Sequence, residues 1–192
     1  MVVEPIVGVL LAAGASRRLG RPKQLVVVDG EPLVRRIART LLRSEVDLVL
    51  AVVGAHREAT AAGLEGLPVV TVENHDHARG MGSSIARAVS VLSEASSVLL
   101  VTCDQYALDD TIVAQLIAAR RDGAELVACG YGGTLGIPAI FSQRYRSALL
   151  SLDGDRGARS ILVRDRALAI PWPAGARDLD TPDDLAQLGD LR

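Results

Sequence analysis

Leu10-Leu11-Ala12-Ala13-Gly14-Ala15-Ser16-Arg17-Arg18-Leu19-Gly20-Arg21-Pro22-Lys23 decides how this chain folds. It follows an apolar run, Ile6 to Leu11, that reads as a buried strand, and it precedes Leu33 to Leu42, whose apolar positions recur at helical spacing. Gly14 and Gly20 carry no Cβ, so backbone N–H groups in a loop of this kind approach an anion closely. Arg17, Arg18, Arg21 and Lys23 bring four cations into one short segment. The stretch reads as a phosphate cradle between a strand and a helix.

Two common phosphate loops do not fit. A Walker A loop requires Gly-Lys-Ser/Thr four residues after its first glycine, whereas position 19 is Leu and the lysine follows Gly20 by three residues. The dinucleotide fingerprint requires glycine at position 12, which is Ala. Lys23 is also the only lysine among 21 basic residues. An ammonium is a compact point charge that suits a phosphate oxygen in a tight cradle.

A length of 192 residues fits one domain, residues 1–192, and no Pro/Gly/Ser-rich linker or repeat divides the chain. Apolar residues make up 49% and aromatic residues only 3%, so the core must be aliphatic, as in parallel strands covered by helices. The formal net charge of −2 supplies no global basic field, so neither nucleic acid nor an anionic membrane is expected as a partner. With no cationic run over Met1 to Glu4 and a first apolar run too short for a signal peptide or a membrane span, neither is expected. Cys103 and Cys129 make no metal spacing and no disulfide framework. A cytoplasmic protein is expected, monomeric by default.

Strand-like and helix-like segments alternate, which predicts an α/β fold with a mainly parallel sheet. Strands are expected at 47–53, 67–72, 97–102, 125–130 and 167–172, and a short helix at 57–63. Ser83 or Ser84 is expected to cap the helix containing Ile85, Ala88, Val89 and Leu92, and Asp109 or Asp110 the next one. Residues 131–138 read as a glycine-rich turn leading into Ala139-Ile140-Phe141, so a hairpin or a loop over the site is expected, and Tyr145, Leu149 and Leu152 recur at helical spacing. Thr181, Pro182 and Asp184 have the spacing of a capped helix start. Asp104 closes the 97–102 strand, at the sheet edge where ligands bind in open α/β folds.

The pattern Leu-Ala-Ala-Gly-x-Ser-x-Arg-x-Gly-x-Pro-Lys over residues 11–23 resembles the signature loop of the nucleotidyltransferases. It is most similar to the MobA-like branch that attaches nucleotides to molybdopterin, the molybdenum cofactor nucleotidyltransferases. Residues 74–84, Asp104-Gln105, Gly136-x-Pro138, 152–159 and 178–184 extend the similarity over residues 7–188. Ile137, Tyr106 and His77 depart from the family's usual His, Pro and Trp. Ala13, in place of a second glycine, is similar to the cytidylyl-transferring branch.

The resemblance implies a single-domain, Rossmann-like, three-layer α/β/α fold. It also implies transfer of a nucleoside monophosphate, CMP preferred, from a nucleoside triphosphate to the phosphate of molybdopterin, with release of pyrophosphate. Leu11, Ala12, Ala13, Gly14, Ser16, Arg18, Gly20, Lys23, Asn74, Ser83 and Asp104 would contact the nucleotide, with Arg18, Lys23 and Asp104 catalytic. Asp104 and Asp180 would bind magnesium, with Asp178 as the alternative second ligand. The expected partners are the triphosphate, the phosphorylated pterin and a molybdenum-dependent target enzyme. Two other readings are a guanylyl- or other nucleotidyltransferase acting on another phosphorylated small molecule, and a non-catalytic cofactor carrier. Arg17 and Arg21 are expected to pair with surface carboxylates, His75 and His77 to lie in a solvated loop, and Cys103 to be a buried apolar residue.

Overall fold

A computed structural model describes residues 4–155 and 157–190, the last four by backbone alone. Met1 to Val3, Arg156, Leu191 and Arg192 lie outside the described residues, and with them most of the reading of the first four positions. Along the chain run β1 (Ile6–Ala12), β2 (Val27–Val28), β3 (Glu31–Pro32), α1 (Leu33–Arg43), β4 (Leu48–Val53), α2 (Arg57–Gly63), β5 (Val70–Glu73) and α3 (Met81–Ser90). They are followed by β6 (Ser97–Thr102), α4 (Asp110–Arg121), β7 (Leu126–Tyr131), β8 (Thr134–Phe141), α5 (Arg146–Leu150), α6 (Arg159–Arg164), β9 (Leu168–Pro171) and α7 (Pro182–Asp190).

Seven strands form one sheet in the order β5-β4-β1-β6-β8-β7-β9, and β2 pairs with β3 in a small separate ribbon. β2 and β3 run antiparallel, and among the described strands of the seven-stranded sheet only β8 runs antiparallel to its neighbours, β6 and β7. The remaining pairs, β1 with β4 and β6, β4 with β5, and β7 with β9, are parallel. The chain builds outward from β1 on one side, through β4 and β5, and then crosses to β6 on the other. The carboxyl end of β1 is therefore a topological switch point, where loops diverge and leave a crevice.

β1 alternates its side chains between two aliphatic layers. Ile6, Leu10 and Ala12 face a core shared with α1 and α4, while Val7, Val9 and Leu11 face one shared with α3, α5 and α6. In α1 the buried face is Leu33, Val34, Ile37, Ala38 and Leu41, the helical spacing seen in the sequence. A Cβ on Gly8 would come within 3.4 Å of the Leu41 methyls, which shows how closely α1 lies on β1. A third cluster of Leu19, Val26, Val28, Leu33 and Leu179 sits beneath the glycine loop.

Two expectations are corrected. The third strand begins at Val70 and not at Leu67, because its pairing with β4 starts at Leu50–Val70, while Leu67 and Val69 pack against the core ahead of it. Ser83 and Ser84 do not cap α3. The helix starts at Met81 after Gly80, whose φ of 107° few side chains could adopt, so both serines fall in the first turn. Asp109 does cap α4, accepting the Ile112 N–H at 3.0 Å.

Candidate active site

The loop after β1, the end of β6 and the segment before α7 converge on a cavity of about 540 Å³. At its centre the Lys23 ammonium lies 3.0 Å from Asp104 Oδ2 and 3.1 Å from Asp180 Oδ1. Arg18 pairs with the other oxygen of Asp180. Burial works to lower the Lys23 pKa, but Asp104 and Asp180 outweigh it and hold the ammonium above its ordinary 10.5. Burial likewise pushes Asp180 up, and its bonds to Lys23 and Arg18 overcome that and hold it below 3.8.

Asp180 reaches this place because Leu179 beside it is buried under the glycine loop and donates its N–H to the Asp104 carbonyl. Asp178, the alternative ligand, is exposed and does not line the cavity. Partial desolvation of its carboxyl by the surrounding residues, and then the charge of Asp104, raise its pKa. Thr181 and Asp184 form the reciprocal cap at the start of α7, with Asp184 accepting from the N–H groups of Asp180 and Thr181 at 3.0 and 2.7 Å.

The other expected contacts divide into two groups. Leu11, Ala13, Gly14, Ser16, Arg18, Lys23 and Asp104 line the cavity. Ala12, Gly20, Asn74 and Ser83 do not. The Ala12 side chain is in the core, and exposed Gly20 serves the turn, its φ of 74° closing a backbone bond to Ser16. Asn74 is buried and spends its amide on Ser83 Oγ and Ser84 Oγ at 2.9 and 3.0 Å and its Oδ1 on the Asp76 N–H, tying β5 to α3. Ser84, not Ser83, reaches the cavity wall.

Several lining residues escaped the sequence reading: Gln24, Met81, Thr102 and Asp155. His77 also lines the cavity instead of sitting free in solvent, while His75 is exposed and lies 3.2 Å from Glu73. Gln24 had one available signal, as a polar residue heading the apolar run Leu25 to Val28. Arg17 and Arg21 have no carboxylate partner among the described residues, and Arg17 instead faces the cavity. Cys103 is buried as expected, its thiol pushed up by desolvation. Ile137 is half-buried and packs against the core, and its carbonyl accepts from Gln105 and Tyr131.

A polar crevice at the switch point, with an anion-receptive loop on one wall, marks a nucleotide-handling α/β protein. Comparison with known proteins makes the class specific. The chain belongs to the MobA-like NTP transferase domain family, which matches residues 8–168, and is a nucleotidyltransferase of that kind. It is 34% identical over 176 residues to the nicotine blue oxidoreductase of Paenarthrobacter nicotinovorans, with 87% of this chain and 83% of that protein covered. It is 29% identical over 190 residues to the molybdenum cofactor guanylyltransferase of Rhodobacter capsulatus, with 96% and 95% covered. The crystal structure of Rv0371C in complex with manganese, from Mycobacterium tuberculosis H37Rv, superimposes with a TM-score of 0.76 at 26% identity over 96% of this chain and 97% of that one. Among the described residues no helix is long and apolar enough to cross a membrane.

Proposed function

We propose that the chain transfers CMP from CTP to the phosphate of molybdopterin and releases pyrophosphate. The observation that carries this reading is the Lys23 ammonium held between Asp104 and Asp180 at the mouth of the glycine loop. Two carboxylates that already share one cation have the hard oxygen donors that suit magnesium, and the manganese complex of the Mycobacterium tuberculosis relative supports a divalent ion. Asp104 and Asp180 would hold it. When bound, the ion neutralises charge on the phosphates.

In this reading Lys23, Arg18 and the loop N–H groups bind the triphosphate and offset the charge that develops on the phosphoryl oxygens. The acceptor phosphate oxygen bonds to the α-phosphorus as the bond from that phosphorus to the bridging β-phosphate oxygen breaks. The electron pair leaves with pyrophosphate. A phosphate acceptor is already ionised near neutral pH, so no side chain has to remove a proton. Ala13 supports cytosine over guanine, and the molybdenum cofactor relatives support the pterin acceptor. A molybdenum-dependent enzyme would receive the product.

Calorimetry of CTP, GTP, ATP, UTP and NADPH with magnesium, followed by pyrophosphate release with molybdopterin, tests the proposal. Magnesium-dependent binding of CTP with turnover is the expected result. Preference for GTP would move the base assignment, failure of molybdopterin to support turnover would move the acceptor, and binding of NADPH alone would replace transfer with redox chemistry.

A further inference from the structure

Gln24 is 1% exposed, yet its side chain belongs to the glycine loop and not to the core. Its Nε2 donates to the carbonyls of Ala12 at 2.9 Å and Gly14 at 2.7 Å. Its Oε1 accepts from the Ser16 hydroxyl at 3.4 Å, and Ser16 Oγ in turn accepts the Lys23 N–H at 3.0 Å. The neighbouring carbonyls are held as well. Ala13 accepts the Ala55 N–H at 3.1 Å, and Ala15 lies 3.4 Å from His56 Nε2. Three successive carbonyls, Ala12 to Gly14, are therefore satisfied within the protein, and that of Ala15 faces a His56 ring nitrogen. Among the described residues, by contrast, the backbone N–H groups of Gly14, Ala15, Ser16, Arg17 and Arg18 find no acceptor.

Peptide planarity turns this imbalance into a direction. In a trans peptide the N–H points opposite to the C=O of the same unit. Fixing the Ala12 and Gly14 carbonyls on Gln24 thus aims the N–H groups of Ala13 and Ala15 away from it, and both residues line the cavity. We propose that Gln24 is a positioning residue: by taking the Ala12 and Gly14 carbonyls inward it fixes the loop amides as outward donors for the β- and γ-phosphates of the triphosphate. The role rests on the reading of this cavity as the triphosphate site. It gives Gln24 no contact with substrate.

The test uses the whole chain carrying Gln24→Met, which keeps length and volume and removes both donors. CTP and CMP are titrated by calorimetry in the presence of magnesium. The expected result is a loss of about tenfold or more in CTP affinity, the scale of one or two lost hydrogen bonds, with CMP affinity changed far less, so that the ratio of the two falls. A purely structural role would lower both together or lower thermal stability alone, and either outcome overturns the proposal. If Gln24→Met does not fold, amide chemical shifts of the wild type with CTP decide: the Ala15 N–H must be among the most displaced, and an unmoved Ala15 overturns it. Failure of the wild type to bind CTP or any other triphosphate would instead remove the nucleotide reading on which the role depends.

Discussion

Leu179 donates its backbone N–H to the Asp104 carbonyl at 3.1 Å, and its side chain is fully buried against the floor of the glycine loop. This contact brings the segment before α7 to the end of β6 and sets Asp180 beside Asp104. Leu179→Ala is expected to cost about 2–5 kcal/mol in denaturant unfolding, the usual range for a leucine truncated in a core. It should also weaken magnesium-dependent CTP binding. Lost stability with unchanged binding would show that Asp180 needs no such anchor.

Removing the shared cation should cost more in activity than in folding. Lys23→Ala is expected to lower the rate of pyrophosphate release by about 10²-fold or more, the scale of losing a positioned charge at a transition state. Lys23→Arg should recover little, because a planar guanidinium does not replace a point charge between two carboxylates. Wild-type turnover in either variant would exclude the ammonium from the chemistry.

Asp178 and Asp180 differ by two positions and by their place relative to the cavity. Asp180→Asn is expected to abolish the magnesium dependence of CTP binding and Asp178→Asn to leave it intact. Manganese binding followed by electron paramagnetic resonance reads the same contrast without turnover. The reverse result would assign the second carboxylate to Asp178.

The cap of α7 gives a pH signature. Asp184 is held below its ordinary 3.8 by the Thr181 hydroxyl and by the N–H groups of Asp180 and Thr181. A depressed carboxylate contributes its stability above the unfolded value and loses it as the pH falls through the folded value. Asp184→Ala should therefore melt below the wild type at neutral pH, and the gap should narrow as the pH drops below 3.8. A gap that stays constant in acid would mean that the charged cap contributes nothing.

Gly54 supports the loop from beneath. A Cβ there would lie 2.7 Å from the Ala13 carbonyl oxygen and 2.8 Å from His77 Cβ, and the first of these is backbone that can yield only by moving the loop. Gly54→Ala is expected to lower the melting temperature and weaken CTP binding together. An unchanged affinity would show that the loop tolerates displacement at Ala13.

The parts of this architecture that repeat locally were legible in the sequence. The bounds of α2 and β6 follow from their own residues, as does the capped start of α7, where Thr181, Pro182 and Asp184 are adjacent. The loop, Lys23 and Asp104 could be placed from spacing alone. Contacts between distant segments could not. Asn74 reads as a ligand until Ser83 and Ser84 are seen to use its amide, and the serines read as caps until Gly80 and its tight approach to Gly154 fix an earlier helix start. Gln24 reads as one more polar residue after a lysine. Only the folded loop shows which carbonyls it holds.

The two carboxylates at Lys23 also make the protein report on itself. Because the sequence has a single lysine, a reagent that acylates amines meets one side-chain target, and that target sits inside the cavity. Both acids hold the amine protonated and therefore poorly nucleophilic, so the mass added at this position becomes a gauge of how often the site lets its cation go.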